Sequence, residues 1–305
     1  MTDAGSVASG DSPEAVLDGA MHGTIGVAGS LVLVATPIGN TGDMSRRAME
    51  TLGRADLVCC EDTRHTGQLF KMLGIRPKQL LSLHEHNEAR RGDEIVDRII
   101  RGDMVALVSD AGTPLISDPG ERLVSRVVAA GLLVSTVPGP SAVVASLSIS
   151  GLPADRFLFE GFLPRKGRSR EMRLRAIAGA GVTSVVYEAP RRVKETLEEL
   201  LEVCGPDRNI AIVRELTKMH EEVWRGTLGQ AVARQDAETR GEHVIVLGAA
   251  VSGTAEPIGD ATEELGFLLA AGLSRRDAAS ALEILRGIPH RVAYQLALNV
   301  EPKEK

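Results

Sequence analysis

The sequence predicts an α/β fold with a parallel-sheet N-terminal domain, a mixed-sheet second domain and a small C-terminal helical module. Three observations predict it. Between residues 30 and 150, short apolar β-branched runs alternate with helix-length segments, the pattern of a parallel sheet with helical crossovers. Between 151 and 249 the strand candidates continue, but NIAIVREL and EEVWRG lie too close together to admit a crossover helix, so they pair as an antiparallel hairpin. Residues 260–300 carry helical periodicity and no strand candidate.

The elements follow in order. LVLVA (31–35) is the first strand, and Asp43 is placed to cap a helix ending near Arg54. DLVCC (56–60) is the second strand, followed by a helix that stops at Gly74, and LLSL (80–83) is a short third strand. A helix runs from about Glu88 to Arg101 and stops at Gly102, and the HEHNE segment (84–88) reads as a polar loop. MVALV (104–108) is the fourth strand. Asp118 followed by Pro119 reads as an N-cap with proline at the first helical position, in a helix that stops at Gly131. LLVSTV (132–137) is the fifth strand, and Ser141 caps a helix that ends before Gly151.

In the second domain FLFEGF, VTSVVYE, NIAIVREL, EEVWRG and HVIVLG are strands, with helices at 168–179, 190–203 and 227–234. The glycine- and proline-bearing stretch at 250–259 is a linker by composition, and 260–305 forms the helical module. Residues 1–29 are rich in Gly, Ala, Ser and Asp and read as a disordered tail. They contain no Lys or Arg, so a secretory leader lacks its basic region.

Composition narrows the class. Hydrophobic residues make up 43% and charged residues 25%, as in soluble globular chains. No apolar run reaches the roughly 18 residues that cross a bilayer, so no membrane role is expected. Cys59, Cys60 and Cys204 form no CxxC. That is neither a disulfide framework nor a zinc pattern; buried thiols in the cytoplasm are the expectation. His84 and His86 have no third ligand at metal-site spacing, so no metal is expected. The net charge is −6, and the four acids of the tail leave −2 for the rest. Local patches rather than this balance decide nucleic-acid binding.

Three loops rich in Gly and Pro follow strands of the first domain: TPIGN (36–40), SDAGTPLISDPG (109–120) and PGPSA (138–142). Loops after the carboxyl ends of parallel strands share one edge, where ligands bind. A dinucleotide site is the first alternative, with Glu61 at the end of the second strand as its ribose-binding acid. The GxGxxG fingerprint is absent, however, and Pro37 stiffens the turn where that motif needs close approach.

At these loops the chain resembles the tetrapyrrole methylase superfamily, and within it the members that 2′-O-methylate a cytidine ribose of 16S rRNA. ATPIGN, EDTRHT (61–66), HEHNE, SDAGTPLISDPG, PGPSA, GLPADRF (151–157), EGFLPRK (160–166), YEAPRR (187–192) and RELTK (214–218) carry the resemblance, from about Leu31 to Leu247. It implies two α/β domains, S-adenosylmethionine in the cleft between them, and a homodimer. Carried onto matching positions, it places Pro37, Ile38, Gly39, Asp110, Gly112, Thr113, Ile116, Ser141, Ala142 and Tyr187 at the cofactor, with Glu188 beside Tyr187, and HEHNE near the substrate.

Residues 161–175 hold six basic residues and one acid, and Arg191, Arg192 and Lys194 add a second group. Such patches are the footprint of nucleic-acid binding, or else a solvated helix face. The resemblance selects the first, with Arg165, Lys166, Arg168, Arg191 and Arg192 as contacts to 16S rRNA in the small ribosomal subunit. Aromatic residues are only 3%, too few to stack several bases, so recognition should rest on phosphate and shape. A base would help deprotonate a ribose hydroxyl. The candidates are Glu61, Asp62, Glu188 and Lys218, the lysine needing a lowered pKa, and an interdomain ion-pair network is the other role open to each. A tetrapyrrole C-methyltransferase and a nucleic-acid-binding regulator are the alternative functions.

In the helical module Ser274 caps a helix running to Arg286, and a second begins near His290. Ala278, Ala279, Leu282 and Leu285 share one face, with Val292, Leu296 and Leu298 as expected partners. The pair resembles a helix-turn-helix, with Arg275, Arg276, Arg286 and Arg291 available to nucleic acid.

Overall fold

The computed structural model describes residues 28–234, 241–250, 258–286 and 288–300. The expected N-terminal tail, apart from its last two residues, lies outside the described residues, as do 251–257 of the expected linker.

Strands β1 (Ser30–Val34), β2 (Leu57–Cys60), β3 (Leu80–Ser82), β4 (Met104–Leu107) and β5 (Leu133–Val137) form a wholly parallel sheet in the order β3-β2-β4-β1-β5. Every residue of β2 and β4 is buried, because helices cover both faces of a parallel sheet. Alternate residues feed opposite layers. Val58 and Cys60 pack with Leu52 of α1 (Arg46–Arg54) and Phe70 of α2 (Thr63–Leu73). Leu57 and Cys59 pack with Ile95 of α3 (Glu85–Ile100) and Leu123 of α4 (Glu121–Ala129).

The five strands and their helices match the sequence reading, but three helix starts do not. Ser45, not Asp43, caps α1, accepting the Ala48 N–H at 3.1 Å, while Asp43 sits in a short 3-10 turn. HEHNE is not a loop: α3 begins at Glu85, with His84 as its N-cap residue and the Asn87 side chain accepting the His84 N–H at 2.9 Å. Gly120 is the N-cap of α4, which leaves Asp118 in the preceding loop.

Helix α5 (Ala142–Ser150) leaves the end of β5 and joins the two sheets. Val143 and Leu147 pack on Val185, Ala211, Val213, Val244 and Val246 of the second sheet. That sheet is β6 (Phe157–Phe162), β7 (Thr183–Glu188), β8 (Asn209–Arg214), β9 (Glu222–Thr227) and β10 (His243–Leu247), in the order β6-β7-β10-β8-β9. Only β6–β7 is parallel, and β8–β9 is the expected hairpin. Its far face is covered by α6 (Arg168–Gly179), α7 (Val193–Cys204) and α8 (Leu228–Ala233), through Leu174, Ile177, Leu197, Leu200 and Leu228.

The chain divides into two compact units, the second beginning at Ala250. This second unit contains α9 (Ile258–Ala270), α10 (Arg275–Arg286) and α11 (His290–Leu298). Ser274 caps α10 as expected, accepting the Asp277 N–H at 3.2 Å. Its core joins Leu265, Ala278, Ala279 and Leu282 to Ala293 and Ala297. The expected partners Val292 and Leu298 are exposed, and of the three only Leu296 packs inward. Small alanines let the helices approach closely and set the buried face. Arg286 pairs with Glu264 at 2.7 Å, and Arg275 donates to Ala297 O at 2.9 Å. Both side chains are therefore engaged within their own unit rather than turned to a nucleic acid.

Candidate active site

The three loops meet through main-chain atoms. Thr36 N–H donates to Gly112 O at 2.9 Å, and Gly112 N–H donates back to Thr36 O at 3.1 Å. This isolated antiparallel bridge ties the loop after β1 to the loop after β4. The Thr113 hydroxyl donates to Pro140 O at 3.0 Å and ties in the loop after β5. Thr36 also donates from its hydroxyl to Ser109 O at 3.1 Å. The loop after β4 carries two non-glycine residues in the left-handed region, Leu115 (φ 73°) and Ser117 (φ 69°). Such conformations persist only where packing imposes them, and they gather at functional sites.

Between these loops and the second sheet lies a cavity of about 400 Å³. Of the residues placed at the cofactor by resemblance, Ile38, Asp110, Gly112, Thr113, Ile116, Ser141, Ala142 and Tyr187 line it. Pro37 and Gly39 do not. Pro37 is buried. Gly39 abuts the 216–218 turn, where an added Cβ would stand 2.5 Å from Lys218 Cγ. The sequence reading missed Asp118, Phe162, Val213, Leu216, Glu242 and His243, which also line the cavity. A histidine opening the otherwise apolar HVIVL strand was a readable signal. Asp118 was hidden by its likeness to a helix cap.

Tyr187 stacks edge-on with Phe159 and Phe162 at centroid distances of 5.0 and 5.5 Å. Burial pushes its hydroxyl up to about 12, so it stays a neutral phenol. Glu188 is nearly inaccessible. Its Oε1 accepts the Ala189 N–H at 2.9 Å and its Oε2 accepts the Thr196 hydroxyl at 2.6 Å. Arg192 Nη1 lies 3.5 Å from Oε1. Thr196 also accepts from Arg170 Nη2 at 2.8 Å, and the buried Arg170 pairs with Glu199.

Lys218 Nζ donates to Glu215 at 2.9 Å and to Glu242 at 3.0 Å. Its desolvation pulls the pKa down, but these two hydrogen bonds outweigh that and raise it. This is the opposite of the lowered pKa that a lysine base requires. Asp62 caps α2, accepting the Arg64 N–H at 2.8 Å and pairing with its guanidinium. Glu61 lies at the end of β2, outside the cavity lining. Desolvation and then the charge of Asp110 raise its carboxyl, while His84 works the other way.

Asp118 lines the cavity. Desolvation, then Glu61 and Asp110, push its carboxyl up to about 6, against the hydrogen bond from Ser109.

The basic residues divide into two sets. Arg165, Lys166, Arg168 and Arg191 are exposed. Arg192 is partly buried and donates to Leu163 O at 3.2 Å and to Pro164 O at 3.3 Å. Arg170 donates to Pro164 O at 3.0 Å. Two arginines thus hold the backbone from which the exposed ones project. Burial pushes the thiols of Cys59 and Cys60 up, which leaves both unreactive. No helix among the described residues is long and apolar enough to cross a membrane.

A parallel sheet with three ligand-facing loops, closed over a cavity by a second, mixed sheet, defines a two-sheet α/β protein that holds a small molecule between its sheets. A family model for tetrapyrrole (corrin/porphyrin) methylases matches residues 30–232. The chain belongs to that family. It is 44% identical to a Synechocystis sp. protein named ribosomal RNA small subunit methyltransferase I, over 90% of this chain and 99% of that one. A protein of the same name from Pseudomonas aeruginosa is 44% identical, over 90% of this chain and 99% of its own length. One from Escherichia coli O157:H7 is 40% identical, over 88% of this chain and 95% of its own length. Among solved structures, diphthine synthase matches at a TM-score of 0.56 and 15% identity, covering 72% of this chain and 89% of its own. The uroporphyrin-III C-methyltransferase of Thermus thermophilus, complexed with S-adenosylhomocysteine, matches at 0.52 and 21%, covering 72% and 96%. At such identities the likeness is one of fold.

Proposed function

We propose that this chain is an S-adenosylmethionine-dependent methyltransferase that 2′-O-methylates a cytidine ribose of 16S rRNA in the small ribosomal subunit. One observation carries the reading: 44% identity, over nearly the whole of both chains, to proteins named ribosomal RNA small subunit methyltransferase I. The cavity residues fit the cofactor. Asp110 offers a carboxylate to a cationic ligand, and Ile38, Ile116, Phe162, Val213 and Leu216 offer apolar wall to a flat ring system. At Gly112 a Cβ would come within 3.3 Å of Ile38 Cγ2, so the cradle is built around a bare backbone. When bound, S-adenosylmethionine supplies a methyl group on a sulfonium. The chain's own task is to align a ribose oxygen with that methyl and to take up a proton.

In this reading residues 30–150 form the cofactor-binding domain, 151–249 close over it, and 260–305 form a module joined through 250–259. Pro37 and Gly39 shape the first loop from outside the cavity. Glu61, Glu188 and Lys218 set the charge and geometry of the reacting end. Arg165, Lys166, Arg168 and Arg191 meet phosphates, and Arg192 positions their loop. The protein works in the cytoplasm as a homodimer on the assembled subunit. The test is to incubate the purified protein with small subunits and isotopically labelled S-adenosylmethionine, then analyse the nucleosides by mass spectrometry. Labelled 2′-O-methylcytidine is expected. A methyl on a base, or on a porphyrin precursor with none on RNA, overturns the reading.

A further inference from the structure

Among the described residues, six ionisable side chains line the cavity: Asp110, Asp118, Tyr187, Glu188, Glu242 and His243. Most are committed to other partners. Glu188 is enclosed with both oxygens bonded. Glu242 holds the Lys218 ammonium at 3.0 Å. Tyr187 keeps its proton. His243 donates from Nδ1 to Gly241 O at 2.9 Å, and its burial lowers its pKa. Asp110 accepts the Asp62 N–H at 3.4 Å, beside the bridge that builds the cofactor cradle.

Asp118 is differently placed. It follows the left-handed Leu115 and Ser117 and precedes Gly120, whose φ is 125°. An added Cβ at Gly120 would stand 2.6 Å from Leu107 Cδ2, so the segment is locked against the sheet rather than free to swing. Its charged and titratable neighbours come from each side: Glu61 from the end of β2, Asp110 from its own loop and Tyr187 from β7. A carboxylate crowded by two others in a partly dry wall is anionic at neutral pH yet readily protonated, the property a proton acceptor needs.

We propose that Asp118 is the catalytic base, accepting the ribose 2′-hydroxyl proton as the oxygen attacks. This rests on the reading given under Proposed function. In the step, the 2′-oxygen bonds to the methyl carbon while the carbon–sulfur bond breaks. The bonding pair stays on sulfur, which leaves as the thioether. The hydroxyl proton passes to the Asp118 carboxylate and then to solvent. Glu61 acts through Asp118, as the neighbouring charge that keeps its pKa high.

The test compares wild type with Asp118→Asn, Asp118→Glu, Glu61→Gln and His243→Gln. Asp118→Asn is expected to fold, to bind S-adenosylmethionine with wild-type affinity by calorimetry, and to lose at least about 10²-fold in kcat with little change in KM. The wild-type kcat should fall below about pH 6. This acid limb should vanish in Asp118→Asn, return in part in Asp118→Glu, and move to lower pH in Glu61→Gln. Carboxyl NMR of the free protein should show one group titrating near 6 that is missing from Asp118→Asn. A kcat within threefold of wild type overturns the assignment, as does loss of cofactor affinity in its place, or a limb that disappears in His243→Gln instead. An active wild type with an equally active Asp118→Asn overturns the assignment alone. A wild type inert on small subunits overturns the underlying reading with it.

Discussion

At the residue scale, the site depends on atoms that sequence patterns describe poorly. Asp118 illustrates the cost of function to stability. Its folded pKa, about 6, lies above the ordinary aspartate value of 3.8, so between these values the folded state holds more proton than the unfolded one. Stability therefore falls as pH rises through that window and stays lower above it. Asp118→Asn is expected to melt higher than wild type at about pH 8 and to lose that advantage at about pH 4; differential scanning calorimetry at both pH values decides. Thr196 shows the reverse economy, since its one hydroxyl serves both Glu188 and Arg170. Thr196→Val strips a buried carboxylate of a donor and should cost about 1–3 kcal/mol, read from urea unfolding; a change of a few tenths would mean that water replaces the hydroxyl. The sequence named Tyr187 and Asp110 through motifs. It could not name Glu242 or His243, which reach the cavity only because β10 lies between β7 and β8, a pairing of distant segments that no local pattern encodes.

At the scale of elements, the strands were legible because burial on both faces demands continuous apolar runs, as in LVCC and MVAL. Helix ends were less so. TGDMS offers several capping side chains, and the choice of Ser45 over Asp43 depends on how the chain leaves β1. At α3 the Asn87 side chain reaches back to accept the His84 N–H, and histidine at the N-cap lies outside the usual Ser, Thr, Asp and Asn set, so HEHNE looked like loop. The basic segment 161–175 reads as one patch in sequence but divides in space. Arg165, Lys166 and Arg168 are exposed, whereas Arg170 is buried against Thr196 and Glu199. Reversing the three exposed charges to Glu should weaken RNA binding and lower its log–log salt slope by about 0.7–0.9 per lost phosphate contact, leaving cofactor affinity unchanged; filter binding across a salt series reads this. An unaltered slope would make them ordinary solvated charges. Arg170→Glu should instead lower the melting temperature, because it leaves buried acids unpaired.

At the scale of the molecule, helix α5 is common to both sheets: its first residue, Ala142, lines the cavity and its Leu147 enters the core beneath the second sheet. Leu147→Ala should cost about 2–5 kcal/mol and weaken S-adenosylmethionine binding as well, measured by denaturation and calorimetry on one preparation; stability lost with affinity intact would mean that the two sheets tolerate slippage. The second unit has its own core of alanine and leucine, so truncation after Gly253 is expected to leave cofactor affinity unchanged and to lower methylation of the ribosomal particle. Loss of cofactor binding would make these helices part of the cofactor fold, and full activity would leave them without a role in the reaction. The linked rim carries a separate consequence. The Thr36–Gly112 bridge is made by peptide groups, so beyond the glycine at 112 and the two threonine hydroxyls that tie the loops, its shape is inherited through the backbone and leaves the other lining side chains free. Mutation is then free to rewrite the lining, and so the choice of substrate, while the mouth of the cavity keeps its form, which suits one scaffold to diverge across lineages into chemically distant tasks.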